Sequence, residues 1–199
     1  MAWVSPGNSP GIPSDWISEL AQSRLLVVSA ANKGNERAIA DRLRLALDAT
    51  YNVCREFPIE RKRIYIGGMS GGGRVASMLG IACADVFAGA LCVCGVNYFR
   101  DLADAHGQFY PASYRPDLRV LPLAKRSERV ALITGEFDPN RENTKDTFEK
   151  GFLRDGFKNV RYFEIPGMRH AMPSGGVLYS ALNFLDGKDR PRTNSITHP

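Results

Sequence analysis

The sequence has few residues suited to metal or redox chemistry: three histidines (His106, His170, His198) and four cysteines (Cys54, Cys83, Cys92, Cys94). Cys92-x-Cys94 has no second pair and no neighbouring histidine, which excludes the usual zinc-ligand spacings. Set among apolar residues, the cysteines read as buried free thiols, which suits a reducing compartment better than a disulfide framework. No apolar run approaches the roughly 20 residues that a membrane-spanning helix needs. Met1-Ala2-Trp3-Val4-Ser5-Pro6 shows no charged region followed by an apolar one, so no signal peptide is visible. The expected location is cytoplasmic, with secretion left open if an N-terminal segment is missing. The phosphate-loop pattern G-x-x-x-x-G-K-[ST] is also missing, because Arg74 follows Gly73 and no Lys-Ser/Thr comes after it. Basic residues are scattered or briefly clustered, as at Arg61-Lys62-Arg63, without interleaved aromatics, and the net charge is only +5. A nucleic-acid surface is therefore not expected.

What is present is ordinary for a soluble globular protein. The 199 residues are 44% hydrophobic and 24% charged, enough for one domain with a sizeable core. Runs of continuous apolar residues alternate with segments of helical periodicity. Ala2-Trp3-Val4 reads as the end of a strand, Arg24–Ser29 as a buried strand, and Ile64–Ile66, Gly89–Cys94, Arg129–Thr134 and Val160–Ile165 as four more. Helices are expected from Ser14 or Asp15 through Ala21, from an Asn35 cap to Phe57, behind Ser70 to about Ala84, over Thr144–Asp155 and over Val177–Leu185. The Asn35 helix repeats apolar residues at Ile39, Leu43, Ala46/Leu47, Val53/Cys54 and Phe57, and the Thr144 helix should turn Phe148, Phe152 and Leu153 inward. Between Gly95 and Ser127 the periodicity is lost among Tyr98, Phe99, Phe109, Tyr110 and Tyr114. Such a stretch inside a compact domain is usually a lid or binding loop. The expected organisation is a single α/β domain over residues 1–186, with a lid-like insertion at about 98–127 and a polar tail over 187–199. The sheet should be mostly parallel, with helices on both faces.

One stretch carries the chemistry. Gly68-Met69-Ser70-Gly71-Gly72 fits G-x-S-x-G and lies between a β-prone run and a helix, the context of a nucleophile elbow. A nucleophile on so sharp a turn crowds the residues two positions either side, and glycine removes the crowding. The elbow predicts an acid after a later strand and a histidine after the last one. Asp138 is the candidate acid, with Glu136 and Asp146 as rivals. His170 is the histidine in the expected loop, since His106 falls in the insertion and His198 in the tail. In this arrangement His170 takes the proton of Ser70 and Asp138 fixes its tautomer. One oxyanion donor should be the N–H of Gly71. The other should come from the loop after Val4, from Ser5 or Gly7, because Pro6 has no N–H. Met69, Asn97, Tyr98 and Arg100 are the candidate substrate contacts.

With those residues assembled, the chain resembles the α/β-hydrolases, and more narrowly the poly(3-hydroxybutyrate) depolymerase and feruloyl esterase-like serine esterases. The resembling stretches are Val28–Glu36, Arg63–Ala76, Gly135–Asp138 and Pro166–His170. The resemblance implies carboxylic-ester hydrolysis through an acyl-enzyme on Ser70, with no metal or cofactor and a small-molecule ester as partner. The sequence departs from the family in two respects. The opening strands are absent, and Ser5-Pro6-Gly7 stands where a His-Gly signature often marks the oxyanion loop. The sheet edge so exposed needs covering, by a partner subunit in a homo-oligomer or by residues outside this sequence. A peptidase of the same fold and a non-catalytic hydrolase-like binding protein are the alternatives.

Overall fold

A computed structural model of the chain describes residues 1–9, 11–32, 34–104, 107 and 109–188. His106, His198 and most of the expected polar tail lie outside the described residues. The elements follow in the order β1 (Ala2–Val4), α1 (Trp16–Gln22), α2 (Ile39–Glu56), β2 (Tyr65–Met69), α3 (Gly71–Ala82), β3 (Gly89–Val93), β4 (Leu102–Ala103), β5 (Phe109–Tyr110), α4 (Leu121–Ser127), β6 (Arg129–Gly135), α5 (Arg141–Asp146), β7 (Asn159–Ile165) and α6 (Gly175–Leu185). The main sheet has five strands in the order β1-β2-β3-β6-β7, every neighbouring pair parallel. The short β4 and β5 form a separate antiparallel pair.

Continuous apolar strands are stable only when both faces of the sheet are covered, and the core divides accordingly. Ala2, Val4, Ile66, Ala90, Cys92, Val130 and Leu132 face one way, against Ala46 of α2 and Val75 and Leu79 of α3. Trp3, Tyr65, Leu91, Val93, Ala131 and Ile133 face the other, against Trp16 and Leu20 of α1 and Leu178 and Leu182 of α6. The period of two along each strand sends alternate residues into opposite layers. Because all the strands are parallel, the turns that follow β1, β2, β3, β6 and β7 leave from one end of the sheet.

Several sequence expectations are corrected. Arg24–Ser29 is not a full strand: only Val28 bridges, to Ala2, through Trp3 N–H to Val28 O at 2.8 Å and Val28 N–H to Met1 O at 3.0 Å. Among the described residues this segment forms one isolated bridge at the sheet edge, so an apolar run alone does not complete a ladder there. Asn35 caps no helix; α2 starts at Ile39 after Ala38. Its buried face carries Arg42, Ala46 and Thr50, whereas Ile39 and Phe57 are 44% and 50% exposed. The Thr50 hydroxyl donates to Ala46 O at 2.8 Å and Arg42 Nη2 to Ser5 O at 3.4 Å, while burial lowers the pKa of the Arg42 guanidinium. The helix expected over Thr144–Asp155 begins at Arg141 and changes to π winding over Thr147–Leu153. Along this stretch Phe152 is fully buried while its neighbour Leu153 is 49% exposed.

The segment expected to be irregular holds β4, β5 and α4, and it is anchored by aromatic contacts. Tyr98 packs edge-on to Phe152 at 5.0 Å between centroids, and Phe152 in turn packs against Phe157 at 4.9 Å. Arg100 grips the Asp155 carboxylate through Nε at 2.8 Å and Nη2 at 2.9 Å, while the Tyr98 hydroxyl donates to the same carboxylate at 2.8 Å. Among the described residues, no helix is long and apolar enough to cross a membrane.

Candidate active site

Ser70 follows β2 directly and precedes α3, with φ 56° and ψ −120°. That left-handed region is costly for a residue with a side chain, and the surroundings must hold it there. Its N–H donates to Val93 O at 2.7 Å, extending the β2–β3 ladder, and its carbonyl accepts from Arg74 N–H at 3.1 Å in the first turn of α3. A Cβ on Gly72 would overlap the Val4 carbonyl, and one on Gly68 would overlap the Gly72 carbonyl. The two motif glycines are thus required by close approach of β1 to the turn. The unpaired N–H groups at the start of the 12-residue α3 put its positive end at Ser70.

Asp138 lies in the turn after β6, where its N–H donates to Gly135 O at 3.1 Å. Its Oδ2 accepts from the Thr134 hydroxyl at 2.8 Å, and its Oδ1 accepts from Asn140 N–H at 3.0 Å. The same Oδ1 lies 2.8 Å from Nδ1 of His170, in the loop after β7. Burial pushes the Asp138 carboxyl upward, but donors from Asn140, His170, Cys94 and Thr134 outweigh it and hold the group below the ordinary carboxylate value. The carboxylate is fully shielded, while the His170 side chain is 33% exposed. The rival acids are occupied elsewhere. Glu136 is exposed and accepts Gly167 N–H at 2.8 Å, and Asp146 pairs with Lys150 at 2.9 Å.

The two loops are fastened together. Glu136 N–H donates to Ile165 O at 3.0 Å and Phe137 N–H to Met168 O at 2.9 Å. A Cβ on Gly135 would overlap the Met168 carbonyl, so glycine there lets the loops touch. Behind His170, Trp16 Nε1 donates to Pro173 O at 2.8 Å and Asp15 accepts Gly175 N–H at 2.8 Å, placing a carboxylate at the start of α6.

Cys94 completes the cluster on the inner side. It directly follows β3 with φ 51°, and its thiol donates to Ala171 O at 3.5 Å, with the Asp138 carboxylate beside it. Burial first, and then Asp138, push that thiol up to about 12. The Cys94 carbonyl accepts from Asn140 Nδ2 at 2.9 Å, and Asn140 Oδ1 accepts from Arg74 at 3.3 Å. Arg74 also donates to Asn97 Oδ1 at 3.0 Å. One donor atom from each of Cys94, Asp138 and His170 lies within 4.8 Å of the others.

The loop after β1 is held against the elbow. The Ser5 hydroxyl donates to Gly7 O at 2.8 Å and to Ser9 O, and Asn35 N–H donates to Pro6 O at 2.8 Å. Asn35 Oδ1 fills the space where a Gly71 side chain would stand. Beside this loop, Trp3, Ser5, Gly7, Met69 and Met172 line a cavity of about 180 Å³. A second cavity of about 290 Å³, lined by Arg74, Asn97, Tyr98, Asn140 and Asn143 among others, opens behind the acid. Met69 therefore borders the first cavity, and Asn97 and Tyr98 border the second. Arg100 borders neither, since its guanidinium is held by Asp155. A cavity of about 320 Å³ at the sheet edge, beside Met1, Leu26, Val53 and Ile59, includes none of these candidates.

Sequence reasoning missed Cys94, Asn140, Thr134 and Arg74. Of these, only Asn140 carried a local signal, as a polar residue two positions beyond the candidate acid. The Thr134 bond is equally local but carries no motif, and the contacts of Cys94 and Arg74 are made between distant segments.

No family model matches the chain, and no curated protein matches it. Solved structures do. An esterase from Pyrobaculum calidifontis superposes with a TM-score of 0.65 at 15% identity, covering 94% of this chain and 76% of that one. An S-formylglutathione hydrolase from Staphylococcus aureus gives 0.62 at 16% identity, covering 92% and 80%. SOBER1 from Arabidopsis thaliana gives 0.58 at 12% identity, covering 94% and 97%. The chain has the α/β-hydrolase fold.

Proposed function

We propose that this chain is a serine esterase that hydrolyses small or medium carboxylic esters. The observation that carries the reading is the His170–Asp138 contact of 2.8 Å, made by loops at the sheet end where the strained Ser70 turn also lies. Ser70 Oγ attacks the ester carbonyl while His170 Nε2 takes its proton. The Nδ1–H of His170 points at Asp138, which fixes the tautomer and offsets the positive charge that forms on the ring. The oxyanion develops toward the Gly71 N–H at the positive end of α3, with Ser5 or Gly7 supplying the second donor. Collapse of the tetrahedral species breaks the bond to the alkoxy oxygen, and His170 returns the proton to it, releasing the alcohol. A water molecule, deprotonated by His170, then cleaves the acyl-enzyme and frees Ser70. The apolar walls of Trp3, Met69 and Met172 suit a short hydrocarbon chain.

Hydrolysis of p-nitrophenyl esters from acetate to octanoate, by wild type and Ser70→Ala side by side, tests this reading. Activity that disappears in Ser70→Ala, with a chain-length optimum, is the expected result. A folded wild type without activity, or a Ser70→Ala protein as active as wild type, would contradict it.

A further inference from the structure

Cys94 has no part in the ester chemistry above, yet it occupies a costly left-handed conformation at φ 51° with its sulfur among the groups of the acid–base pair. Thiolate, carboxylate and imidazole form a donor set that zinc-type ions favour. We propose that Cys94 Sγ, Asp138 Oδ1 and His170 Nδ1 form a binding site for a thiophilic divalent cation such as Zn²⁺, and that its occupation switches the hydrolase off.

The geometry is close to what the ion requires. Zinc–sulfur bonds near 2.3 Å and zinc–nitrogen or –oxygen bonds near 2.0 Å put tetrahedral ligands roughly 3.3–3.6 Å apart. One ligand atom from each of the three residues lies within 4.8 Å of the others, so as the ion enters the sulfur closes in by up to roughly 1.3 Å while the 2.8 Å His170–Asp138 contact spreads by roughly half an ångström. The Thr134 hydroxyl and Asn140 N–H bonds continue to orient the carboxylate, as outer partners of a metal ligand do. Water from the exposed side of His170 fills the fourth position. Arg74 lies near Asp138 and opposes a cation, but the site brings one thiolate and one carboxylate, so the bound ion ends neutral.

The protons balance. The Cys94 thiol gives up its proton to solvent as the sulfur–metal bond forms. His170 moves its proton from Nδ1 to Nε2 as Nδ1 takes the metal, which leaves no lone pair on the nitrogen that faces Ser70. The same ring nitrogen cannot bond the metal and hold the tautomer that the reaction needs. Binding therefore blocks the base without covering the pocket. The blocking of activity rests on the esterase reading; the binding of the ion does not.

The test titrates Co²⁺ alone into wild type, Cys94→Ser and a Cys54→Ser/Cys83→Ser double variant, and follows the thiolate-to-cobalt absorption. Zn²⁺ competition gives the affinity. One equivalent of cobalt should bind with a thiolate band in wild type and in the double variant. In Cys94→Ser the band should vanish and the affinity fall at least about tenfold. Zn²⁺ should stop p-nitrophenyl acetate hydrolysis by wild type, and the Cys94→Ser rate, measured against its own metal-free rate, should resist it. If Cys94→Ser fails to fold, Cys94→Gly, which suits the positive φ, carries the same expectation. No thiolate band in wild type, a band that survives the loss of Cys94, or a wild-type rate unchanged at saturating zinc would each overturn the proposal. A protein that binds cobalt through Cys94 but hydrolyses no ester would sink the esterase reading and leave the metal site standing.

Discussion

His170 Nδ1 lies 2.8 Å from Asp138 Oδ1, and no part of that carboxylate reaches solvent. Asp138 also receives bonds from Asn140 N–H and the Thr134 hydroxyl, so its position does not depend on His170. The imidazole is oriented by an acid that is itself fixed.

Replacing Asp138 by Asn keeps the shape but allows the imidazole its wrong tautomer, and an amide NH2 faces donors in place of a carboxylate. The expected loss in kcat for p-nitrophenyl acetate is about 10⁴-fold. Circular dichroism should show a folded protein, which separates this loss from unfolding.

Gly72→Ala sets a methyl group against the Val4 carbonyl. The elbow must shift from β1, which should cost about 1–3 kcal/mol of stability and nearly all activity. Thermal unfolding and ester hydrolysis measure the two effects separately.

Asp155→Asn releases the insertion from its anchor. Arg100 and Tyr98 both bond to this carboxylate, which is 17% exposed against 35% for Arg100. Allowing for solvent screening at Arg100, the loss should be about 1–2 kcal/mol. Amide exchange should quicken within residues 98–104, with kcat changed less than KM if the insertion shapes the substrate cavity.

Glu128 predicts the pH dependence of stability. It is buried at 1% exposure, and neither oxygen has a partner among the described residues. Burial therefore holds its carboxyl well above the ordinary value, protonated in the folded state. The unfolded chain releases that proton above about pH 4.3, so this group lowers stability as pH rises toward its folded value, by up to about 1.4 kcal/mol per pH unit. Glu128→Gln, which cannot ionise, should raise the melting temperature at pH 8 far more than at pH 4. Equal shifts at both values would contradict this origin.

The sequence made the elbow legible because G-x-S-x-G stood between an apolar run and a helical period. Chain order then pointed to His170. The choice among Glu136, Asp138 and Asp146 needed geometry, since it depends on which carboxylate faces a loop more than twenty residues away. Cys94 was illegible for the same reason: its partners come from the turn after β6 and the loop after β7. Arg24–Ser29 looked like a strand because it is apolar, but a ladder needs successive paired neighbours, and among the described residues only Val28 of this segment forms a β-bridge. On α2, Leu43, Ala46, Leu47 and Cys54 pack on the core as the period predicted, but Arg42 and Thr50 are buried as well and Ile39 and Phe57 stay exposed. Periodicity cannot register such exceptions. On the helix after β6, Phe152 is buried as read, while its neighbour Leu153 is 49% exposed.

Covalent capture of Ser70 separates a nucleophilic serine from a structural one. The protein is treated with a fluorophosphonate, and the modified peptide is identified by mass spectrometry in wild type, His170→Ala and Ser70→Ala. The esterase reading predicts one adduct per chain on Ser70, formed much more slowly without His170 and not at all in Ser70→Ala. An unlabelled wild type, or an adduct on another residue that persists in Ser70→Ala, would contradict it.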